Sequence, residues 1–424
     1  MKVMKFWSAV RIICAVLLAA LLPAGAAWPG EKDKEPYPKY WMSVSTKNFS
    51  IPGMPADMPS LGGMLGGRMG GPNRGLLLQL NSPRPLPAEP SATHDIPPGQ
   101  SMGGTLPLII PPKPGAERSG ESAEGPGQFE KPKARMLIYW GCGEKVKPGQ
   151  PRVLDTEKMS PEEFGKAMSG HFSSAQYPPA PRTGWIYSEW PNEKNRVNIP
   201  GNSSLEGEHV VHGNYIPDIR FSIDKKHDFM APVEFTSVTG ERTESMKVRW
   251  RAIPTATGYF AMAMARNEKN GETIIWTTSG VPEPGYGLMN YLPGADVRRL
   301  IREKVIMPPD VTSCSVPKGI FSGSEGAMLQ FIAYGDDLQI AYPPKPKDPR
   351  KPWNPLWAVK VRLKSTGMTP LGNPGQPDEQ QAREQGSKSP GKSPGAEGSP
   401  SEGRAKGKEG SGSPLNVIKG LFGF

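Results

Sequence analysis

Cys142 and Cys314 are the two cysteines that stay with the chain once a leader carrying Cys14 is removed. An even pair in an exported protein reads as a disulfide, because the compartments outside the cytoplasm are oxidising. Cys142 lies between Gly141 and Gly143, where backbone can bend toward a partner, and Cys314 lies in the strand-like run Val311–Val316. The alternative is a pair of free, buried thiols packing as small hydrophobes. The other chemistry-bearing cluster is aromatic. Trp185, Tyr187 and Trp190 fall within six residues, near Trp140 and Tyr177. Rings of this kind stack on sugar faces when exposed and fill the core when buried. Glu189 and Asp218 are the carboxylates that could accompany a sugar site, provided that they share a cleft at glycosidase spacing.

Other motifs match a pattern without the context its chemistry needs. Gly386 to Ser393 satisfies the phosphate-loop spacing, and Gly391-x-Ser393-x-Gly395 satisfies that of a nucleophile elbow. Both chemistries need a strand delivering the loop and a helix receiving it, and the surrounding composition supplies neither. Ile332-Ala-Tyr334-Gly335-Asp336-Asp337 resembles the metal-binding hairpin of viral RNA-dependent polymerases, but Ser322-Gly323 lies too close for that family's upstream element. The residues read instead as a hairpin turn between strands 328–334 and 338–342. His209 and His212 are three apart on an expected strand, so they face opposite sides and share no ion. Met54, Met58, Met64 and Met69 could offer thioethers to Cu(I), or simply make a loose contact surface. No catalytic residue, metal or cofactor is assigned.

These residues sit in a chain of 424 with 50 glycines and 50 prolines, about twice average usage. A single all-helical enzyme is excluded, because both residues break helices. Ten Trp, eleven Tyr and thirteen Phe equally exclude a wholly disordered chain. Lys2, Lys5 and Arg11 precede an apolar run from Ile12 to Leu22 and the small residues Ala24-Gly25-Ala26. That order is a signal peptide over 1–26, with an apolar run shorter than the roughly 20 residues a span requires. The expected location is the periplasm or the extracellular space. Residues 373–413 contain no large apolar side chain, so disorder is expected there. A short apolar tag follows at 414–424. Flexible inserts are expected at 53–75 and 112–133. The formal charge of +10 is mostly interleaved with acidic residues, and nucleic acid is not an expected partner.

What remains is mainly β, divided into an irregular β-rich domain over 37–222 and a second β-sandwich over 223–372. In the first, strands are expected at 40–48, 76–81, 105–110, 134–140, 208–216 and 218–223. Ser160-Pro161-Glu162-Glu163 forms a capping box that starts a helix ending at Gly170. In the second, Met246, Val248 and Trp250 alternate with charged residues. So do Val359, Val361 and Leu363 with Lys360, Arg362 and Lys364. The pattern is that of strands with one wet face. Val248-x-Trp250-x-x-x-Pro254-x-Ala256-x-Gly258-Tyr259 resembles the second and third strands of fibronectin type III domains, which implies a sandwich with Trp250 and Tyr259 in its core. Asp296 to Val305 departs from that family as a helical insert, with Val297, Leu300, Ile301 and Val305 on one face. The whole chain also resembles a group of exported proteins of Gram-negative bacteria, which implies a compartment and no activity.

The expectation is therefore an exported binding or structural protein of the cell envelope, with an envelope protein or a glycan as partner. The tag at 414–424 offers peripheral membrane contact. The alternative is a carbohydrate-binding or carbohydrate-active protein using Trp185, Tyr187 and Trp190.

Overall fold

The computed structural model describes residues 36–50, 72–112, 135–171, 178–192, 195, 197–348 and 350–372. The leader, most of both inserts with their four methionines, Tyr177, the motifs at 386–395, the tail and the terminal tag lie outside the described residues. Among the described residues, no helix is long and apolar enough to cross a membrane.

The structure is mainly β. The strands are β1 (Lys39–Phe49), β2 (Asn73–Ser82), β3 (Ala92–Asp95), β4 (Thr105–Pro107), β5 (Arg135–Trp140), β6 (Arg152–Asp155), β7 (Ile186–Trp190) and β8 (Gly207–Gly213). They continue as β9 (Ile219–Ile223), β10 (Phe235–Thr239), β11 (Met246–Trp250), β12 (Ala256–Arg266), β13 (Thr273–Thr277), β14 (Ser313–Val316), β15 (Ala327–Tyr342) and β16 (Trp357–Leu371). A nine-stranded sheet runs β6-β5-β13-β12-β15-β16-β1-β2-β7, beside a three-stranded sheet β10-β11-β14 and a four-stranded sheet β4-β3-β8-β9.

The nine-stranded sheet crosses the boundary expected at 222/223. β1 pairs in parallel with β16 from Lys39↔Ala358 to Phe49↔Met368, and β5 pairs in parallel with β13. Local alternation shows each strand but not its neighbour, so a partner some 320 residues away leaves no trace in the pattern. Asn73 to Gly75, expected within a flexible insert, belong to β2.

One face of the large sheet is the core. Tyr40, Met42 and Val44 on β1, Leu76, Leu78 and Leu80 on β2, and Val359, Val361 and Leu363 on β16 are all buried there. The three-stranded sheet packs on this face through Trp250, which meets Tyr259 and Phe331 at centroid distances of 5.9 and 4.8 Å. The four-stranded sheet packs on it through a polar chain. The Leu205 carbonyl can only accept, so Nε2 of His209 carries a proton and donates to it at 2.7 Å. Nδ1 of His209 then accepts from Nε2–H of His94 at 2.9 Å. Nδ1 of His94 in turn accepts from the Tyr40 hydroxyl at 2.8 Å. All three side chains are fully buried and neutral, every donor has an acceptor, and Phe221 stacks on His209 at 5.1 Å.

The opposite face is divided. Over β5, β13, β12 and β15 it is covered by α1 (Pro161–Ser169) and α2 (Gly294–Arg302), with Val297 and Leu300 of α2 packed against Phe260, Met262, Ile332 and Tyr334. The α1 capping box forms as expected, with Ser160 Oγ accepting from the Glu163 amide at 3.1 Å. Over β16 and β1 the face is polar, with Ser43, Ser45 and Lys360 buried and Trp41, Arg362 and Lys364 half-buried.

Residues 327–342 form one sixteen-residue strand rather than a hairpin. The register against β16 shifts between Tyr334 and Asp337, which marks a bulge. Bulges and turns use the same residue types, because both need a local kink. At Gly335 an added Cβ would lie 2.6 Å from Leu363 Cβ and 2.9 Å from Met230 Sδ. Glycine lets the bulged backbone approach the neighbouring strand.

Candidate functional site

The polar half of the sheet's second face is built by period-two alternation on two parallel strands. On β16 the even positions Lys360, Arg362 and Lys364 point away from the core. Directly opposite on β1 stand Trp41, Ser43 and Ser45. Tyr291, from the segment before α2, closes the side, its hydroxyl donating to the Val44 carbonyl at 3.2 Å.

These groups hold one another in place. The Arg362 guanidinium lies 4.3 Å from the Tyr291 ring centroid and 5.3 Å from that of Trp41, and its Nε donates to Ser43 Oγ at 2.8 Å. Lys364 Nζ lies 4.5 Å from the same Tyr291 ring. Lys360 sits over Trp41 at 5.2 Å and pairs with Asp337 at 3.0 Å. Asp337 also accepts from the Gln339 side chain and from the Gly294 amide, at 2.6 and 3.2 Å. Burial works to raise its carboxyl, but these donors outweigh it and hold it below the ordinary carboxylate range. Lys360 is thereby neutralised as a pair.

Arg362 and Lys364 are not. Among the described residues neither has a carboxylate within ion-pair distance, and the two terminal nitrogens of Arg362 have no hydrogen-bond partner. Burial, then the charges of Lys47 and Arg362, pull Lys364 down to about 8. Burial likewise lowers Arg362, and it pushes Tyr291 up to about 12. Half-buried cations without a counter-charge are costly, and a cluster of groups displaced from their ordinary values makes this face a candidate functional site.

The residues expected from sequence fall elsewhere. Cys142 and Cys314 form a disulfide, with α-carbons 5.1 Å apart across a separation of 172 residues. It ties the segment after β5 to β14. The three rings expected to stack on a ligand do not make a platform. Trp190 is 1% exposed on the core face and Tyr187 is 7% exposed. The half-buried Trp185 is covered by the Arg182 guanidinium, 3.3 Å from its centroid. The strand β7 runs through this segment, so alternation sends Trp190 inward. Glu189 accepts from Tyr187 at 2.5 Å within the large sheet, whereas Asp218 pairs with His212 and Arg220 beside the four-stranded sheet. They share no cleft. His209 points inward and His212 outward, toward Asp95 and Asp218. Asp336 pairs with Lys226, so the two bulge aspartates serve as ion-pair partners.

The alternating cations of β16 were visible in the sequence as a wet strand face. What could not be seen was that Trp41, Ser43 and Tyr291 lie beside them. No protein-family model, curated protein or solved structure matches the chain.

Proposed function

We propose that this chain is an exported binding protein of the cell envelope that meets its partner on the polar face of β16 and β1. The observation that carries this reading is a set of half-buried cations and rings held by one another and by Ser43, in which Arg362 and Lys364 have no carboxylate within ion-pair distance among the described residues. Such a surface is preorganised for a ligand, which lowers the ordering cost of association. The Cys142–Cys314 disulfide is compatible with an oxidising compartment, and the N-terminal pattern of charge, apolar run and small residues supports export. The Trp250–Tyr259–Phe331 cluster bridging two sheets supports a fibronectin type III-like arrangement for that part of the fold.

The test is association with isolated cell envelopes of the expressing bacterium. Trp41→Ala and Arg362→Ala should each reduce the bound fraction at least tenfold while circular dichroism stays unchanged. Equal binding by wild type and by a folded Arg362→Ala variant would overturn the reading.

A further inference from the structure

We propose that the group bound on this face is a phosphate monoester dianion, held between Arg362, Lys364 and Lys47. The inference rests on the reading of the β16–β1 face as the contact surface and specifies its ligand chemistry.

Arg362 and Lys364 are two residues apart on one side of β16, which separates their α-carbons by about 6.8 Å. Lys47 stands on the neighbouring strand, opposite Thr366 and one side-chain row beyond Lys364. It is exposed, and it is close enough for its charge to act on Lys364. The three cations therefore form a staggered row over two strands, with Lys364 in the middle. A planar carboxylate offers two oxygens and one negative charge, enough for two neighbouring cations of that row. A phosphate monoester offers three terminal oxygens and close to two negative charges, and so can draw in the third long side chain as well.

The polar contacts on the rim fit the same group. Arg362 spends Nε on Ser43, which leaves the fork of its two terminal nitrogens for a bidentate contact. Lys360 adds no charge to this set because Asp337 already neutralises it. A bound dianion would stabilise the ammonium form of Lys364, so binding near its titration range takes up a proton.

The experiment is calorimetric titration of the full chain with inorganic phosphate and with phenyl phosphate, using acetate as the monovalent control. Phosphate and phenyl phosphate should bind at pH 7 at least tenfold more tightly than acetate, and the affinity should fall between pH 7 and pH 9.5. Arg362→Ala and Lys364→Met should each weaken binding at least tenfold. Lys364→Met keeps the stem of the side chain and removes a half-buried charge, so it retains the fold. Equal affinities for phosphate and acetate would overturn the inference, as would phosphate binding that Lys364→Met leaves unchanged. Retention on phosphatidic acid vesicles but not on phosphatidylcholine vesicles supports the inference with a lipid-borne phosphate. Titration by phenyl phosphate without vesicle retention supports it with a soluble one. Envelope association that depends on Trp41 and Arg362, without phosphate binding, overturns the phosphate inference and leaves the contact surface standing. Phosphate binding without that envelope dependence does the reverse.

Discussion

His94 and His209 are placed where neither can be charged without cost. Burial, followed by the neighbouring imidazole, holds His94 well below 6.5, and burial holds His209 below it as well. The groups facing the pair are the Tyr40 hydroxyl, the Phe221 ring and the Leu205 carbonyl. The nearest charge acting on His209 is Glu208. A proton added to either ring would turn two donors toward each other or strip Tyr40 of its acceptor. The folded values lie below the unfolded one, so the unfolded chain binds more protons as pH falls through 6.5. Stability is complete above that pH and declines below it, by about 1.4 kcal/mol per pH unit for each histidine. His212 works in the opposite direction, because Asp218 and Asp95 raise it, but it is far more exposed. Urea midpoints should therefore drop between pH 7.5 and pH 5.5 in the wild type. The drop should be clearly smaller in a His94→Leu/His209→Leu double variant, and equal drops in the two proteins would refute the assignment.

At the scale of elements, the bulge in β15 joins the core to the candidate site. It lets one strand serve two roles along its sixteen residues. Before the bulge, Phe331 and Ala333 face the core while Ile332 and Tyr334 pack under the helices. After it, Asp337 and Gln339 stand beside Arg362 and Lys360. The shift in register brings Asp337 to Lys360 and to the Gly294 amide. Gly335→Ala puts a methyl group against Leu363 and Met230, and overpacking of this kind costs about 1–3 kcal/mol. A denaturant titration should show that loss. It should also show weaker anion binding, because Leu363 lies between Arg362 and Lys364 on the same strand. A variant as stable as the wild type would mean that the bulge is not tightly packed.

At the scale of the molecule, the halves of the chain are interleaved. β1 sits between β16 and β2, β5 sits beside β13, and the disulfide links the segment after β5 to β14. A fragment spanning 223–372 loses β1 from one flank of β16 and β5 from one flank of β13. The core face of β16 then loses Tyr40, Met42 and Val44 as neighbours, and that of β13 loses Leu137 and Tyr139. That fragment should show no dispersed amide spectrum and no cooperative melt, whereas 36–372 should show both. Cooperative unfolding of 223–372 alone would instead show an independent second domain.

The sequence by itself determined the class of the fold and most of its strands, because alternation is a local signal that each strand carries in full. Met246–Trp250 and the start of β16 at Trp357 are read directly from it, as are the capped helix at Pro161 and the apolar face of α2. It also narrowed the cysteines to one pair. Tertiary structure decided what no local pattern encodes. It set the parallel pairing of β1 with β16, the bulge in place of a hairpin at Gly335, and the burial of Trp190 and Tyr187 away from any ligand. It brought His94 to His209 across 115 residues and the Tyr291 ring to Arg362 and Lys364. The physical reason is the same in each case. Period-two patterning fixes which way a side chain points, but strand order and register alone fix what it meets.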